Sequence, residues 1–270
     1  KYNISLNGSY NKNEVGNIPT SDGIIHGAGN ELYNNASEFY RAENGQPIGY
    51  FWGYKTAGIF QDTQEIDEWR AAGNGILQSN VQPGDVRFVD RNHDGQINNK
   101  DKVNLGNGTP DFTLGLNLGF VYKGFDFSIV ANGAFGQQIV QSYRNHTRPT
   151  PNYTTAILDR WHGEGTSNRI PRVTDSNINY QFSDLFIQNG DYLRLSTLTL
   201  GYDFAKLFKG KAVSQARLYF QVQNLFTITG YDGMDPEIGF GSSNNSWVSG
   251  LDYGYYPRPR TVLVGVNLKF

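Results

Sequence analysis

The sequence contains no cysteine, which excludes disulfide bonds, thiolate metal sites and cysteine nucleophiles. It has only four histidines, too few to favour a zinc site, and its formal net charge of −2 gives no reason to expect a nucleic-acid partner. It also lacks any run of about 18 apolar residues, so no transmembrane helix is predicted. The chain begins with neither a methionine nor an apolar signal segment, and we expect it to be part of a longer protein.

Glycine and aromatic residues, in contrast, are abundant. The 270 residues include 32 Gly, 17 Tyr and 17 Phe but only one Met. Enrichment in glycine and aromatic residues, with many asparagines as polar filler, is typical of β-proteins rather than helical ones. We therefore expect an all-β fold in which helix is a minor component.

Apolar and polar residues alternate in several stretches of about ten residues, which is the pattern of a strand with one apolar face. The last ten residues, 261–270, show this alternation without interruption. Residues 112–120 show it too, and the tight turn "YKG" (122–124) then leads into a second strand, so an antiparallel hairpin is predicted. Further strands are predicted at about 2–10, 192–204 and 216–226.

Long polar stretches at 137–190 and 229–259 separate these hairpins, whereas other connections are short. Long strands with one apolar face, short turns at one end and long loops at the other suit a transmembrane β-barrel, whose strands cross about 30 Å of hydrocarbon at a tilt. A large soluble β-sandwich is the alternative, but its strands average about five or six residues. One short helix, "QEIDEWRAA" (64–72), is predicted in a loop, with Trp69 as a hydrophobic plug beneath that loop.

The segment "DRNHDGQINNKD" (90–101) has the ligand spacing of an EF-hand calcium loop, although a strand rather than a helix precedes it. A hard cation needs several oxygen ligands from a short arc of chain, and Gly95 supplies the sharp turn of such a loop. The alternative is a hairpin loop of Asx turns that binds no ion. The candidate ligands for a structural Ca²⁺ are Asp90, Asn92, Asp94, Gln96 through its backbone carbonyl, Asn98 and Asp101.

Candidate catalytic residues do not form a constellation with a defined spacing. Asp159 with Glu164, and His146 with His162, lie in long loops where the sequence does not fix their geometry, so we predict no enzymatic activity. One set of arginines is a candidate for contact with an acidic partner, and the alternative is a solvated loop face. These arginines are Arg144, Arg148, Arg160, Arg169 and Arg172.

A set of aromatic residues is a candidate for contact with sugar rings, and the alternative is an interfacial aromatic belt. These residues are Trp247, Tyr253, Tyr255 and Tyr256.

Five blocks of sequence occur one after another along the chain. Their presence in this order is a more specific family signature than any single block. They are "GYFWGYKTAGIFQ" (49–61), "QPGDVRFVDRNHDGQINNKDKVNLGNGTPDFTLGLNLGFVYKGFDFSI" (82–129), "NGDYLRLSTLTLGYDF" (189–204), "QNLFTITGYDGMDPE" (223–237) and "YYPRPRT" (255–261). Together they resemble the C-terminal part of SusC/RagA-like TonB-dependent outer-membrane transporters, over nearly the whole chain. The terminal Phe270, at the end of an alternating strand, resembles the signal by which barrel proteins are recognised for outer-membrane assembly.

This resemblance implies both a fold and a function. The fold would be the C-terminal portion of a large antiparallel transmembrane β-barrel with long extracellular loops and short periplasmic turns, formed by residues 1–270 as one unit. The function would be part of a TonB-dependent active importer of oligosaccharides in the bacterial outer membrane, with peptides as the alternative cargo. In the loop 90–101, a divalent ion would stiffen a connection between barrel strands.

The resemblance also implies partners. They are a SusD-like surface lipoprotein that forms a lid, the TonB complex, the lipid bilayer, and the remainder of the barrel with its plug, since neither the plug nor a TonB box is found in this sequence. Two other classes stay open: a secreted, calcium-stabilised carbohydrate-binding β-module and a surface adhesin. A soluble module would stay monodisperse without detergent, whereas barrel strands would not.

Overall fold

The structure is a computed structural model that describes residues 1–32, 36–142, 155–175, 178–205, 213–239 and 246–270. Within these residues it contains one α-helix, α1 (Thr63–Ala71), and short 3-10 helices at Asn99–Asp101, Thr155–Asp159, Ile178–Tyr180 and Asp184–Phe186. The strands are, in chain order, β1 (Tyr2–Tyr10), β2 (Ile24–His26), β3 (Tyr40–Glu43), β4 (Tyr50–Gly53), β5 (Thr56–Ile59), β6 (Val86–Phe88), β7 (Val103–Asn107), β8 (Phe112–Tyr122), β9 (Phe125–Phe135), β10 (Gln138–Gln141), β11 (Ile187–Asn189), β12 (Tyr192–Asp203), β13 (Gln215–Thr229), β14 (Leu251–Asp252) and β15 (Thr261–Lys269).

Six long strands form one sheet in the order β1-β8-β9-β12-β13-β15, and every neighbouring pair is antiparallel. These strands are 9 to 15 residues long, which exceeds the usual length of soluble strands. Within the described ranges no helix has the length and apolar character needed to cross a membrane. The predicted antiparallel all-β fold is confirmed, and the sheet of this chain does not close on itself into a barrel.

The register of this sheet places apolar side chains in rows that cross all six strands. One row consists of Tyr2, Phe120, Phe127, Leu200, Phe220 and Val264. The adjacent row, on the opposite face, consists of Asn3, Gly119, Ser128, Thr199, Gln221 and Leu263. Both ends of the apolar row are exposed among the residues that the structure describes: Tyr2 is 82 % exposed and Val264 is 70 % exposed. An exposed apolar face opposite a mainly polar face is the arrangement of a barrel wall between lipid and lumen.

The hairpin between β8 and β9 turns at Lys123 and Gly124, whose φ angles are 49° and 94°. Two central residues with positive φ are the requirement of a type I′ turn, whose twist matches that of the flanking strands. Aromatic rings gather beside this turn: the ring centroid of Tyr202 lies 4.4 Å from that of Phe125 and 4.6 Å from that of Phe204. The predicted tight turn is confirmed, and the sheet end that carries it has an aromatic belt of the kind found at membrane interfaces.

The long connections at the other end of the sheet fold together into a compact body, which we call the loop body. It contains the smaller sheets β2-β3-β4-β7, β11-β10-β14 and β5-β6. Its main core combines residues from three connections that are far apart in the sequence, so each connection is held by the other two. The core residues are Leu32, Ala36, Phe39, Tyr40, Phe51, Leu105, Val140, Phe182, Val248 and Leu251.

Helix α1 lies in the loop body and matches the predicted helix to within one residue at each end. The Asp62 carboxylate caps it by accepting the Glu65 N–H at 2.8 Å. Trp69 packs edge-on against Phe60, with ring centroids 6.2 Å apart, and its Nε1 donates to the Gly75 carbonyl at 3.2 Å. Trp69 is therefore a packing residue beneath its own loop, as predicted.

Replacing Leu116 by Arg in the full-length protein is expected to lower the free energy of unfolding in lipid by about 2–4 kcal/mol, because an arginine on the apolar face near the middle of β8 meets hydrocarbon. Asn117→Arg is the matched control, since Asn117 is the next residue and lies on the opposite face. The loss at Asn117 should be much smaller. Urea unfolding in liposomes, followed by intrinsic fluorescence, measures both, and equal losses would contradict the assignment of the faces.

Candidate functional site

A cavity of about 360 Å³ lies where the polar face of the sheet meets the loop body. Asn132 and Tyr192 reach it from the sheet, and Gln137 and Glu237 reach it from the loops. The Tyr192 hydroxyl lies 3.5 Å from Asn132 Nδ2. Amide, hydroxyl and carboxylate groups around one mainly apolar opening are suited to a ligand with both polar and apolar surfaces. This cavity was not predicted from the sequence, because its walls come from segments that are distant in the sequence.

A buried arginine joins the loop after β13 to the sheet beside this cavity. Arg194 on β12 is 3 % exposed and donates through Nη2 to Asp235 and through Nε to Thr227 Oγ1 at 3.1 Å. Its Nη1 also forms an ion pair with Glu237 Oε2 at 3.0 Å, at an angle unsuited to a hydrogen bond. Glu237 pairs in addition with the exposed Arg258 at 2.9 Å. Because Arg194 is desolvated, its two carboxylate partners fix this loop against the lumen-facing side of the sheet.

A second charged arrangement, also not predicted, surrounds Trp52 in the loop body. The Arg41 guanidinium lies 3.3 Å from the centroid of the Trp52 ring, and Lys102 Nζ lies 4.3 Å from it. Burial, followed by repulsion from Arg41, lowers the pKa of Lys102 to about 8. Lys102 follows Asp101 directly, yet its ammonium is placed over aromatic rings rather than paired with that carboxylate.

The four aromatic residues considered for sugar contact differ in their accessibility. Trp247 packs against the core residue Tyr40, with ring centroids 5.4 Å apart. The Tyr253 hydroxyl donates to Glu31 Oε2 at 2.7 Å, and its ring is half-buried. Tyr255 and Tyr256 are 45 % and 87 % exposed. Only the last two therefore present open ring faces among these four.

The arginines of the predicted basic cluster lie in different environments. Arg172 forms an ion pair with the buried Asp85 at 2.7 Å, and Arg160 Nη1 donates to the Ile157 carbonyl at 3.2 Å. Arg169 is exposed. Arg144 and Arg148 lie outside the described residues.

The side chains considered for catalysis do not gather in a cleft within the described part of the chain. Asp159, His162 and Glu164 are all exposed. His146 lies outside the described residues.

The loop 90–101 is held by its own carboxylate and amide groups. Asp90 is fully buried, and its Oδ2 accepts the N–H groups of Gly95 at 2.8 Å and Gly75 at 3.1 Å. Asn92 Nδ2 donates to Asp94 Oδ2 at 2.9 Å, and the Asp94 N–H donates to Asn92 Oδ1 at 3.1 Å. The structure thus brings the side chains at loop positions three and five into contact.

The far end of this loop is closed by a capping box at its 3-10 turn. Asp101, also fully buried, accepts the Arg91 N–H through Oδ1 at 2.9 Å and the Asn98 N–H through Oδ2 at 2.8 Å. Asn98 Oδ1 accepts the Lys100 N–H at 2.9 Å. Gln96 is exposed and its N–H donates to the Asp94 carboxylate at 2.9 Å. In the described residues no three or more His, Cys, Asp or Glu side chains are grouped to hold a metal ion, so a cation here would also need amide and backbone carbonyl oxygens.

Phe270 follows β15 and is 84 % exposed, with its ring free at the sheet end that carries the short turn. Its place at the end of an alternating strand agrees with the pattern seen in the sequence. Its role as an assembly signal stays a prediction.

Comparison with known proteins identifies relatives along the whole chain. The chain is 32 % identical over 281 residues to TonB-dependent receptor P3 of Formosa agariphila, an alignment that covers 100 % of this chain and 27 % of the receptor. It is 28 % identical to TonB-dependent receptor SusC of Bacteroides thetaiotaomicron, with 100 % and 24 % covered. Among solved structures, the RagAB peptide transporter superposes with a TM-score of 0.72 at 21 % identity, covering 100 % of this chain and 27 % of that one. No protein-family model matches the chain.

The sheet and these relatives together define the class: this is part of an integral outer-membrane β-barrel. The chain is similar over its whole length to TonB-dependent receptors, SusC among them, in agreement with the resemblance seen in the sequence. It spans about a quarter of the length of the relatives it matches. Those relatives are receptors and transporters rather than enzymes, and the prediction of no catalytic activity is confirmed.

Replacing Arg194 by Met in the full-length protein is expected to cost about 3–5 kcal/mol of stability, because it leaves two carboxylates of the loop after β13 without their buried cation. Arg258→Met is the matched control: it breaks an exposed pair with the same Glu237 and should cost at most about 1 kcal/mol. Hydrogen exchange of residues 230–239 reports the loosening of this loop directly. Similar protection in the two variants would show that Arg194 does not anchor it.

Proposed function

We propose that the chain is part of a TonB-dependent importer that carries oligosaccharides across the bacterial outer membrane together with a SusD-like surface lipoprotein. The observation that carries this proposal is the arrangement of the sheet. Its apolar face is exposed over six strands, its opposite face is mainly polar, and the loop body stands over a cavity on that polar side. A wall between lipid and an aqueous path, with a ligand-sized opening at one end, is what an importer requires.

The remainder of such an importer would supply what this chain does not contain. Closing a barrel needs further strands beside β1 and β15, because an unpaired strand edge is unfavourable in hydrocarbon. A plug domain and contact with the TonB complex would provide gating and energy. The SusC relative and the likeness to RagAB support a partner lipoprotein seated on the outer end of the barrel.

Oligosaccharides are the cargo that we propose first. Tyr255 and Tyr256 offer exposed rings near the end of the sheet where the loop body stands, and a flat ring packs well on the apolar face of a sugar. The cavity adds amide, hydroxyl and carboxylate groups that suit sugar hydroxyls. Peptides are the second candidate, favoured by the structural likeness to RagAB, which is described as a peptide transporter.

Uptake by cells that express the full-length receptor and its lipoprotein tests the function and the cargo together. Labelled oligosaccharides and labelled peptides are supplied to cells with and without the receptor, and with and without a protonophore. Receptor-dependent, protonophore-sensitive uptake of oligosaccharides supports the proposal. The same result for peptides alone would mean that the cargo is peptides rather than oligosaccharides. Purification in detergent, with mass spectrometry of co-purifying chains, identifies the lid; recovery without a lipoprotein under conditions that preserve uptake contradicts that part.

Replacing Tyr255 and Tyr256 by Ala should weaken oligosaccharide binding by about threefold to tenfold per ring, since an aromatic contact contributes about 0.5–1.5 kcal/mol. Tyr10→Ala is the control, because Tyr10 is an exposed tyrosine on the apolar face of the sheet. Titration calorimetry on the purified full-length receptor measures the affinities. Unchanged affinity in the double variant would remove these rings from the binding site without removing the cavity.

A further inference from the structure

One buried carboxylate oxygen in the loop 90–101 has no partner. Asp90 is 0 % exposed, and while its Oδ2 accepts two backbone N–H groups, its Oδ1 is buried without any hydrogen-bond donor. A buried polar atom that is left unpaired costs free energy, and an ionised one costs more. The position of Asp90 therefore calls for a positively charged group beside Oδ1.

The protein itself does not supply that charge among its described residues. Neither Asp90 nor Asp101 forms an ion pair with a lysine, arginine or histidine there. Lys102, the nearest lysine in sequence, lies over the rings of Trp52 and Tyr54 instead. The twelve-residue loop thus buries two carboxylates, Asp90 and Asp101, and no described cationic side chain pairs with either.

We propose that this loop binds one Ca²⁺ ion, with Asp90 Oδ1 as the anchoring ligand. The side chains at loop positions three and five, Asn92 and Asp94, already touch, so an amide oxygen and a carboxylate lie close together in the loop. The backbone carbonyl of Gln96 occupies the seventh position of such a loop. Oxygen ligands of mixed type at irregular angles suit Ca²⁺ better than Mg²⁺, which demands near-octahedral geometry.

Asp101 is a positioning residue in this arrangement. Its two oxygens accept the N–H groups of Arg91, Asn92 and Asn98, so it draws the two ends of the loop together. This explains how Asp can stand at the twelfth position, where a longer side chain usually reaches the ion itself.

The ion would join the loop to the segment that follows α1. The Gly75 N–H donates to Asp90, and a Cβ at Gly75 would lie 2.7 Å from the backbone carbon of Gln96, so the two segments are in direct backbone contact. The same segment accepts the Trp69 indole N–H through the Gly75 carbonyl. A bound cation therefore stabilises helix α1, its following turn and the loop as one unit, just before β7 leads into the barrel strand β8.

Terbium binding to the purified full-length receptor tests the site directly, because Tb³⁺ replaces Ca²⁺ at oxygen-rich sites. Trp69 is linked to Asp90 through the backbone of Gly75, and we expect it to sensitise the luminescence of the bound ion. We expect sensitised emission that Ca²⁺ displaces, with a Ca²⁺ dissociation constant on the order of 10⁻³ M or tighter. Asp90→Asn should weaken Tb³⁺ binding by about tenfold or more, since it removes the anchoring charge. Asp67→Asn, the same change at an exposed position on α1, should not.

Limited trypsin digestion of the unmodified receptor supplies a second readout that does not depend on the folding of a variant. Arg91 and Lys100 are exposed cleavage sites within the loop, and chelation with EGTA should speed cleavage at both by about tenfold, with reversal by added Ca²⁺ but not by Mg²⁺. Equal Tb³⁺ binding in the Asp90 and Asp67 variants, or cleavage rates unaffected by EGTA, would overturn the proposal. Neither readout involves transport, so the result is independent of the cargo.

Discussion

Strand pairing in hydrocarbon is the constraint on which the rest of this structure depends. A bilayer offers no water to an unpaired backbone N–H or C=O, so each strand of the long sheet must be hydrogen-bonded along its whole length. The register of each pairing then decides which side chains face lipid and which face the lumen, because the side-chain period of two sends alternate residues to opposite faces. A shift by one residue in any of the five pairings would place serine and asparagine in lipid and leucine in the lumen.

The loop body obeys a different rule because it stands in water. Its short strands are irregular and its polar groups can be solvated, so it is stabilised by burying apolar residues such as Phe39, Phe182 and Leu251 from three separate connections. Arg194 links the two regions, since it rises from a barrel strand and pairs with carboxylates of the last long loop. The protein thus combines a lipid-solvated wall with a water-solvated cap, and the cavity lies at their junction.

The sequence predicted the long sheet far better than the loop body. Alternation in residues 112–120 and 261–270 is a local signal, and the tight turn at Lys123 and Gly124 is encoded by adjacent residues, so strands, hairpin and faces were all predicted correctly. The long connections were described only as polar stretches. Their core residues are scattered without a strand or helix period, and they become a core only when three distant segments meet.

The candidate site divides in the same way. The loop 90–101 was found because its residues are contiguous, and the structure adds what spacing cannot show: which carboxylate oxygen is left unpaired. The cavity, the Arg194 pairs and the cations around Trp52 depend on tertiary contacts and left no local signal. In the sequence Trp247 was as good a candidate for sugar contact as Tyr255 and Tyr256. The structure separates them, because Trp247 packs against Tyr40 whereas the two tyrosines are exposed.

The central claim is that one face of the long sheet meets lipid. This chain contributes no cysteine, so single introduced cysteines report on the sheet once any cysteine elsewhere in the receptor has been replaced. Single cysteines are placed in turn along β8, Phe112–Tyr122, in the full-length receptor, labelled with a fluorophore and exposed to lipids that carry a quencher on the acyl chain. Quenching is expected at Leu114, Leu116 and Leu118, with little at Gly115 and Asn117. Quenching without this period of two, or at no position, would show that this face of the sheet does not meet lipid.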